Sequence, residues 1–429
     1  MNLSDTAKKK TVLHDWHLAH GANMATFAGY DMPLWYPAGA RAEHLAPIRH
    51  VGIFDTSHMP VLTVTGPGAR ELLQYCFCRD LERCIGRQKG PLVDGRCTYG
   101  FFLSQKGHVI DDAIVYQLNP DAYMIVANAG MGPILAAHLG RYLSGAEAEI
   151  RDLTDRMGKI DIQGPDAGRL IKRLIKTPDR FFDRLVYFSF KGGLAGYPSA
   201  SVVELLDGTP LLIARTGYTG EFGFELFMSP EVFPALWQKA LDEGRDLDVL
   251  PCGLAARDSL RVGAVLPLSH QDIGDWPFAA NPWLFALPRS EDQSGFTKDF
   301  LGAKALRSFE DPERTLPFAG YDPRKIVVGP DTLVTDPRGE PMGRVLTCAT
   351  DMAIGRVEGK IVSIATPVEK GRPEDFNPRG LCCGFVKVNR LLAPGQEVIL
   401  TDGKRQIKVE IRQDIRPDRT ARRPIAEMV

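Results

Sequence analysis

Two stretches of this chain share one local pattern, and that repetition restricts the fold more than any single residue does. Leu62-Thr63-Val64-Thr65 runs into Gly66-Pro67 and then Gly68-Ala69-Arg70-Glu71-Leu72-Leu73; much later, Ile160-Asp161-Ile162-Gln163 runs into Gly164-Pro165 and Asp166-Ala167-Gly168-Arg169-Leu170-Ile171. Alternation at period two predicts a strand, Gly-Pro breaks it, and proline in the first turn opens a helix. Two such units predict a mixed α/β body with an internal structural echo. Between them, Phe101-Phe102-Leu103 and Val109 to Tyr116 flank the turn Ser104-Gln105-Lys106-Gly107, which predicts a hairpin, and 122–128 adds another strand. After Ser229-Pro230, Val232, Phe233, Leu236, Trp237 and Ala240 recur at helical spacing, so a core-facing helix capped by Ser229 is expected.

The chain has 429 residues, too many for one simple core, so two or three domains are expected. A polar stretch at 308–314 marks a change of texture. From about residue 317 onward, short β-like runs at 325–328, 343–346 and 397–401 are punctuated by Gly, Pro and Asp, predicting a small β-barrel or sandwich. Residues 365–380 read as a loop, and the basic run from Arg416 to Arg423 as a solvated tail. A formal net charge of −1 supplies no basic field, so nucleic acid is not an expected partner. No apolar run approaches the roughly 18 to 20 residues that cross a bilayer. Lys8, Lys9 and Lys10 lead into a segment interrupted by Asp15, His17 and His20 rather than a signal-peptide core, so a cytoplasmic protein without a membrane partner is expected. The eight cysteines follow no paired C-x-x-C pattern and read as reduced, mostly buried thiols; only Cys76, Cys78 and Cys84 cluster where a metal would be sought, and none is expected.

Three segments concentrate glycine, polar and ionisable residues. In Gly107-His108-Val109-Ile110-Asp111-Asp112-Ala113-Ile114, adjacent aspartates on a strand must point to opposite faces, one towards water and one into the body. A carboxylate held inside has either a raised pKa or a bound partner. Turn aspartates without a role have the same spacing. In Arg215-Thr216-Gly217-Tyr218-Thr219-Gly220-Glu221-Phe222-Gly223-Phe224-Glu225, the recurring glycines let a flat ligand approach the backbone. Tyr218 suits stacking, and Glu221 or Glu225 suits two parallel donors such as the amine edge of a pterin or guanine. In Pro251-Cys252-Gly253-Leu254-Ala255-Ala256-Arg257-Asp258-Ser259-Leu260-Arg261, Arg257 and Arg261 share a helix face; an arginine there would keep a carboxylate ionised or grip an acidic ligand, while Asp258 equally suits a pair with Arg261. Ser57-His58 lacks a nucleophile elbow, and His58 reads as structural.

These segments, taken in order with Gly21 to Leu34 and Gly52 to Met59, resemble the glycine cleavage system T-protein family of tetrahydrofolate-dependent aminomethyltransferases, well over 11–305 and more loosely beyond. The resemblance implies an α+β fold: a three-domain cloverleaf of two mixed α/β domains and a C-terminal β-barrel, with folate in a central channel. The implied domains are 1–56 with 155–265, 57–154 with 266–307, and 317–429. Carried over to this chain, Asp112 and Arg257 are the implied catalytic residues, Arg257 standing near the acid. Tyr99, Tyr116, Asn128, Tyr218 and Glu225 are the implied folate-binding residues, and a lipoyl carrier protein the implied partner. One departure lies after Arg261, where the family's Tyr-Gly before Gln-Asp is replaced within Leu268-Ser269-His270-Gln271-Asp272, and 273–282 is longer and aromatic. The other is the 365–380 loop. Both fall where a donor would enter. The readings are therefore aminomethyl transfer, demethylation of an N-, O- or S-methyl compound onto tetrahydrofolate, or a folate-binding assembly factor; the last is disfavoured by the retained Asp112 and Arg257 and by the missing K-G-C-Y-x-G-Q-E motif.

Overall fold

In the computed structural model, which describes residues 8–143, 147–194, 196–197, 199 and 201–429, each echo unit sits inside its own sheet. The first sheet runs Phe190–Gly192, Leu212–Ala214, Gly223–Met228, Gly158–Gln163, Val51–Asp55, Val249–Pro251; only the last pair is parallel. The second runs Arg96–Leu103, Val109–Asn119, Ala122–Val126, Val61–Thr65, Glu149–Asp152 and is antiparallel throughout. Helices Ala69–Cys76 and Ala167–Leu174 follow the two echo strands as expected, but Pro67 and Pro165 stand before the N-caps Gly68 and Asp166 rather than in the first helical turn. The glycine between strand and helix is obligatory in both. Gly66 and Gly164 have φ of +113° and +135°, and a Cβ on them would stand 2.3 Å from the Glu147 carbonyl and 2.1 Å from the His50 carbonyl.

Period two sorts the side chains. Ile160 and Ile162 turn towards the helices, with Val51, Ile53, Phe224, Leu226, Phe233 and Trp237 in one core. Lys159, Asp161 and Gln163 turn the other way, yet are buried. The reason is the second sheet, which presses Tyr116, Leu118, Met124 and Val126 against Phe190, Leu212 and Phe227 of the first. The helix after Ser229 opens with a 3-10 turn, Pro230–Val232, and continues as Phe233–Glu243. Phe233, Leu236, Trp237 and Ala240 are buried, while Ser229 caps nothing and spends its hydroxyl on Glu231.

The C-terminal strands Arg314–Gly320, Leu381–Val388, Pro341–Asp351, Leu333–Thr335, Glu397–Thr401 and Gln406–Ile411 close into a six-stranded barrel. Residues 325–328, expected as a strand, form none: Ile326 enters the barrel core while Val327 is 83% exposed. The 365–380 loop holds a single 3-10 turn, Val368–Lys370. The basic tail is not solvated. Arg416 is fully buried, with Nη1 2.7 Å from Asp351 Oδ2 and Nε 3.2 Å from Glu221 Oε1. The Thr420 amide and hydroxyl donate to Glu221 Oε2 at 3.1 and 2.7 Å, and Met428 joins the core under the first sheet. Two buried carboxylates require a cation, which a count of charges along the tail does not disclose.

All eight cysteines are free, six buried and two half-buried. Among the described residues no helix is long and apolar enough to cross a membrane, and no three His, Cys, Asp or Glu are grouped to hold a metal.

Candidate active site

The hairpin of Arg96–Leu103 and Val109–Asn119 is irregular where it matters. Phe102 pairs with Asp111 but Leu103 with Val109, so Ile110 is an extra residue and the strand bulges there. The expectation that one of two adjacent aspartates faces water is overturned: Asp111 is fully buried and Asp112 is 8% exposed, because both faces of the hairpin are covered, by helices around Phe102 opposite Asp111 and by the 278–306 segment around Phe101 opposite Asp112. Asn128, just past Ala122–Val126, donates its side-chain amide to Asp111 Oδ1 at 2.9 Å and to Asp112 Oδ1 at 2.8 Å, and its backbone N–H to Asp111 Oδ2 at 3.1 Å. Ser269 donates to Asp111 Oδ1 at 2.6 Å, and Tyr99 to Asp112 Oδ2 at 2.8 Å.

Every one of these donors is neutral. Burial therefore pushes both carboxyls above the usual range, and at Asp111 the negative charge of Asp112 adds to the rise. The Tyr99 phenol is pushed well up by burial and then by Asp112.

Four residues along the same strand, Tyr116 reaches across to the first sheet and donates to Glu225 Oε2 at 3.2 Å. The Thr216 hydroxyl donates to that same oxygen. Glu225 lies opposite Asp161 in the ladder, and Lys159 bridges them, its Nζ 2.6 Å from Glu225 Oε1 and 2.5 Å from Asp161 Oδ1. Arg257 Nη1 is 2.8 Å from Asp161 Oδ2, and Thr56 donates to Asp161 Oδ1 at 2.9 Å. Two cations thus face two anions. Burial opposes ionisation of Asp161, but Lys159 and then Arg257 outweigh it and hold that carboxyl below its usual range.

Tyr218 stands between the two groups. The Arg257 guanidinium lies 4.8 Å over its ring, its hydroxyl donates to the Pro267 carbonyl, and burial foremost raises its phenol, with Asp112 adding to the rise. All seven residues expected from the sequence therefore fall around one region between the sheets, but not in the expected pairs. The ion pair of Arg257 is with Asp161, not Asp112. Arg261, expected on the same helix face, turns to Asp258 and Asp272 and anchors the 266–272 segment. Glu221 serves the tail, and Ser57 donates to the Lys159 carbonyl rather than pairing with His58, whose pKa burial lowers to about 4.

Lys159, Asp161, Thr56 and Ser269 were not legible as site residues. One signal existed for the first two: opposite charges two apart on a strand whose other face is purely Ile.

Fold and site together define a class, an α+β protein of two face-to-face sheets and a closed barrel with a pair of buried carboxylates held by neutral donors. Residues 13–279 match the family model of the GCVT N-terminal domain. An aminomethyltransferase of Streptomyces coelicolor is 36% identical over 373 residues, covering 86% of this chain and 89% of that one. An aminomethyltransferase of Thermus thermophilus is 34% identical over 346 residues, covering 79% and 86%. The crystal structure of glycine cleavage system aminomethyltransferase T from Bartonella henselae superposes with a TM-score of 0.73 at 26% identity, covering 98% of this chain and 99% of that one. The chain belongs to the aminomethyltransferase (GCVT) family.

Proposed function

We propose that this transferase moves a one-carbon unit from an aminomethyl group on the dihydrolipoyl arm of a carrier protein to tetrahydrofolate, with release of ammonia. The observation that carries the reading is the acid pair: two buried carboxylates held only by neutral donors, a setting that favours positive charge appearing beside them. Family membership supports the same chemistry.

The residues present fit a pterin. Tyr99 and Tyr218 offer aromatic walls beside Asp112. On Glu225, Oε2 already accepts from two hydroxyls, while Oε1 accepts only from Lys159, so one acceptor position remains for an N–H donor. Tyr99, Tyr116, Asn128, Tyr218 and Glu225 would hold tetrahydrofolate, which when bound supplies the nitrogen nucleophiles. Asp112, when ionised, stabilises positive charge building on the reacting carbon and accepts a proton from nitrogen. Asn128 and Tyr99 fix its two oxygens. Arg257 acts one step removed, holding Asp161 and, through it, Lys159 and Glu225. We take 1–56 with 155–265, 57–154 with 266–307, and 317–429 as the three domains, a division supported by sheet membership, and cytoplasm as the place of action.

The test is calorimetric titration with tetrahydrofolate, then turnover with an aminomethyl-lipoyl carrier, on wild type and Asp112→Asn. The variant is expected to bind folate within a few-fold of wild type and to lose turnover by about 10²–10³. A wild type that binds no folate overturns the proposal. Folate binding with methyl-tetrahydrofolate formed only from a methylated donor would make it a demethylase.

A further inference from the structure

We propose that Asp111 is a positioning residue of this site, titrating as a coupled pair with Asp112, and that Ser269 holds it there. The inference rests on the transferase reading for its catalytic consequence, but its geometry stands alone.

Asp111 lies deeper than Asp112, and one Asn128 amide donates to both carboxylates. The pair is bonded by Tyr99 on Arg96–Leu103, Asn128 past Ala122–Val126 and Ser269, with Tyr218 of the glycine-rich loop beside it, while the neighbouring His270 turns its ring onto Met131. None of the bonded groups is a cation. Arg257 and Arg261, the nearest positive charges acting on Tyr218, are committed to Asp161 and to Asp258 with Asp272. Two carboxylates in one buried place without a counter-ion cannot both ionise freely, so they titrate as a pair.

Ser269 is delivered by backbone under strain. Val265, β-branched, has φ +59° and His270 has φ +62°, both in the left-handed region that such residues rarely enter. The turn persists because its surroundings over-determine it. Arg261 grips Asp272, Asp272 accepts from the Leu268 amide at 3.1 Å, the Trp283 indole donates to the Val265 carbonyl at 3.0 Å, and the His270 ring rests on Met131 with Nε2 3.2 Å from Sδ. Strain maintained in this way marks a place where geometry is kept for use. What it yields is a hydroxyl 2.6 Å from Asp111.

The consequence is chemical. Between its two steps the pair keeps one negative charge for the reacting centre, and the charge on Asp111 sets the pH at which Asp112 ionises.

The test follows the aspartate side-chain carboxyl carbons of the ¹³C-labelled full-length protein by NMR across pH. Turnover is measured in parallel on wild type, Asp111→Asn and Ser269→Ala. Wild type is expected to show two coupled steps. Asp111→Asn should leave one, displaced at least about one pH unit below the upper wild-type step, with the acid limb of turnover moving down with it. Ser269→Ala removes a donor to ionised Asp111 and should move the upper step to higher pH, which keeps the test open if Asp111→Asn fails to fold. An Asp112 signal titrating alone at one pH in all three proteins overturns the proposal, as does a rate lowered equally at every pH in both variants. Coupled steps without turnover in wild type would uphold the pair and overturn the transferase reading instead.

Discussion

Lys159 shows how far a single residue can depart from what its neighbours in sequence suggest. It is 1% exposed and bridges Asp161 and Glu225. Lys159→Met leaves Asp161 with one cation and Glu225 with none. Unfolding free energy should fall by about 3–5 kcal/mol, read as a lower urea midpoint at unchanged slope. Lys159→Met combined with Glu225→Gln should recover part of that loss, because the second change removes the orphaned charge; additive losses would mean the two do not interact. Along the strand this lysine looks like a solvent-side residue, alternating with Ile160 and Ile162. Only a second sheet laid over that face makes it a site residue, and no local pattern announces the second sheet. Asp111 hides for a different reason. Period two predicts opposite faces for adjacent aspartates, and the ladder keeps that register, but both faces are covered, by helices around Phe102 and by the 278–306 segment around Phe101, and no local pattern announces the second cover.

At the scale of elements, the sequence is read most securely where signals are local and strict. The strand, Gly-Pro and helix of both echo units occur where expected because Gly66 and Gly164 answer a backbone need that only glycine meets cheaply. Gly164→Ala should therefore destabilise by more than about 1 kcal/mol, seen as a fall in Tm, whereas alanine at Gly140, which has open space around it, should stabilise its helix or change little. An equal effect at both positions would refute the argument. The hairpin of 96–119 was equally legible. Residues 325–328 were not, because β propensity describes a surface to be packed rather than a partner. Ile326 found burial inside a barrel whose ladder was already closed by other strands.

For the whole molecule, the buried charges pull stability in two directions as pH changes. Asp351 sits between Arg416 and His44; burial works against its ionisation, and those two charges more than reverse it, so its carboxyl lies below the usual range. Stability from such a group is complete above the unfolded value of roughly 4 and is lost as pH falls through the lower folded value. Asp111 and Asp112, raised in the folded state, act oppositely: their contribution is fully present below about 4 and declines as pH rises. Urea midpoints across pH should accordingly drop on the acid side. Arg416→Met should lower the whole curve and flatten that acid limb. An acid limb as steep as in wild type would remove Asp351 from the account.

Arg416 also fixes an order of events. Its partner Glu221 adjoins the glycine-rich turn carrying Tyr218, and Thr219 in that turn accepts a bond from Arg416 through its carbonyl. A ribosome makes that turn long before it makes the arginine, with the whole barrel coming between. Through that interval Glu221 lacks the charge of Arg416, and the turn is held only by its ties to Gln163, Arg257 and Pro267. Both sheets can be assembled while Glu221 still waits for the tail, and the turn that carries Tyr218 gains its last tie only once translation has passed the barrel.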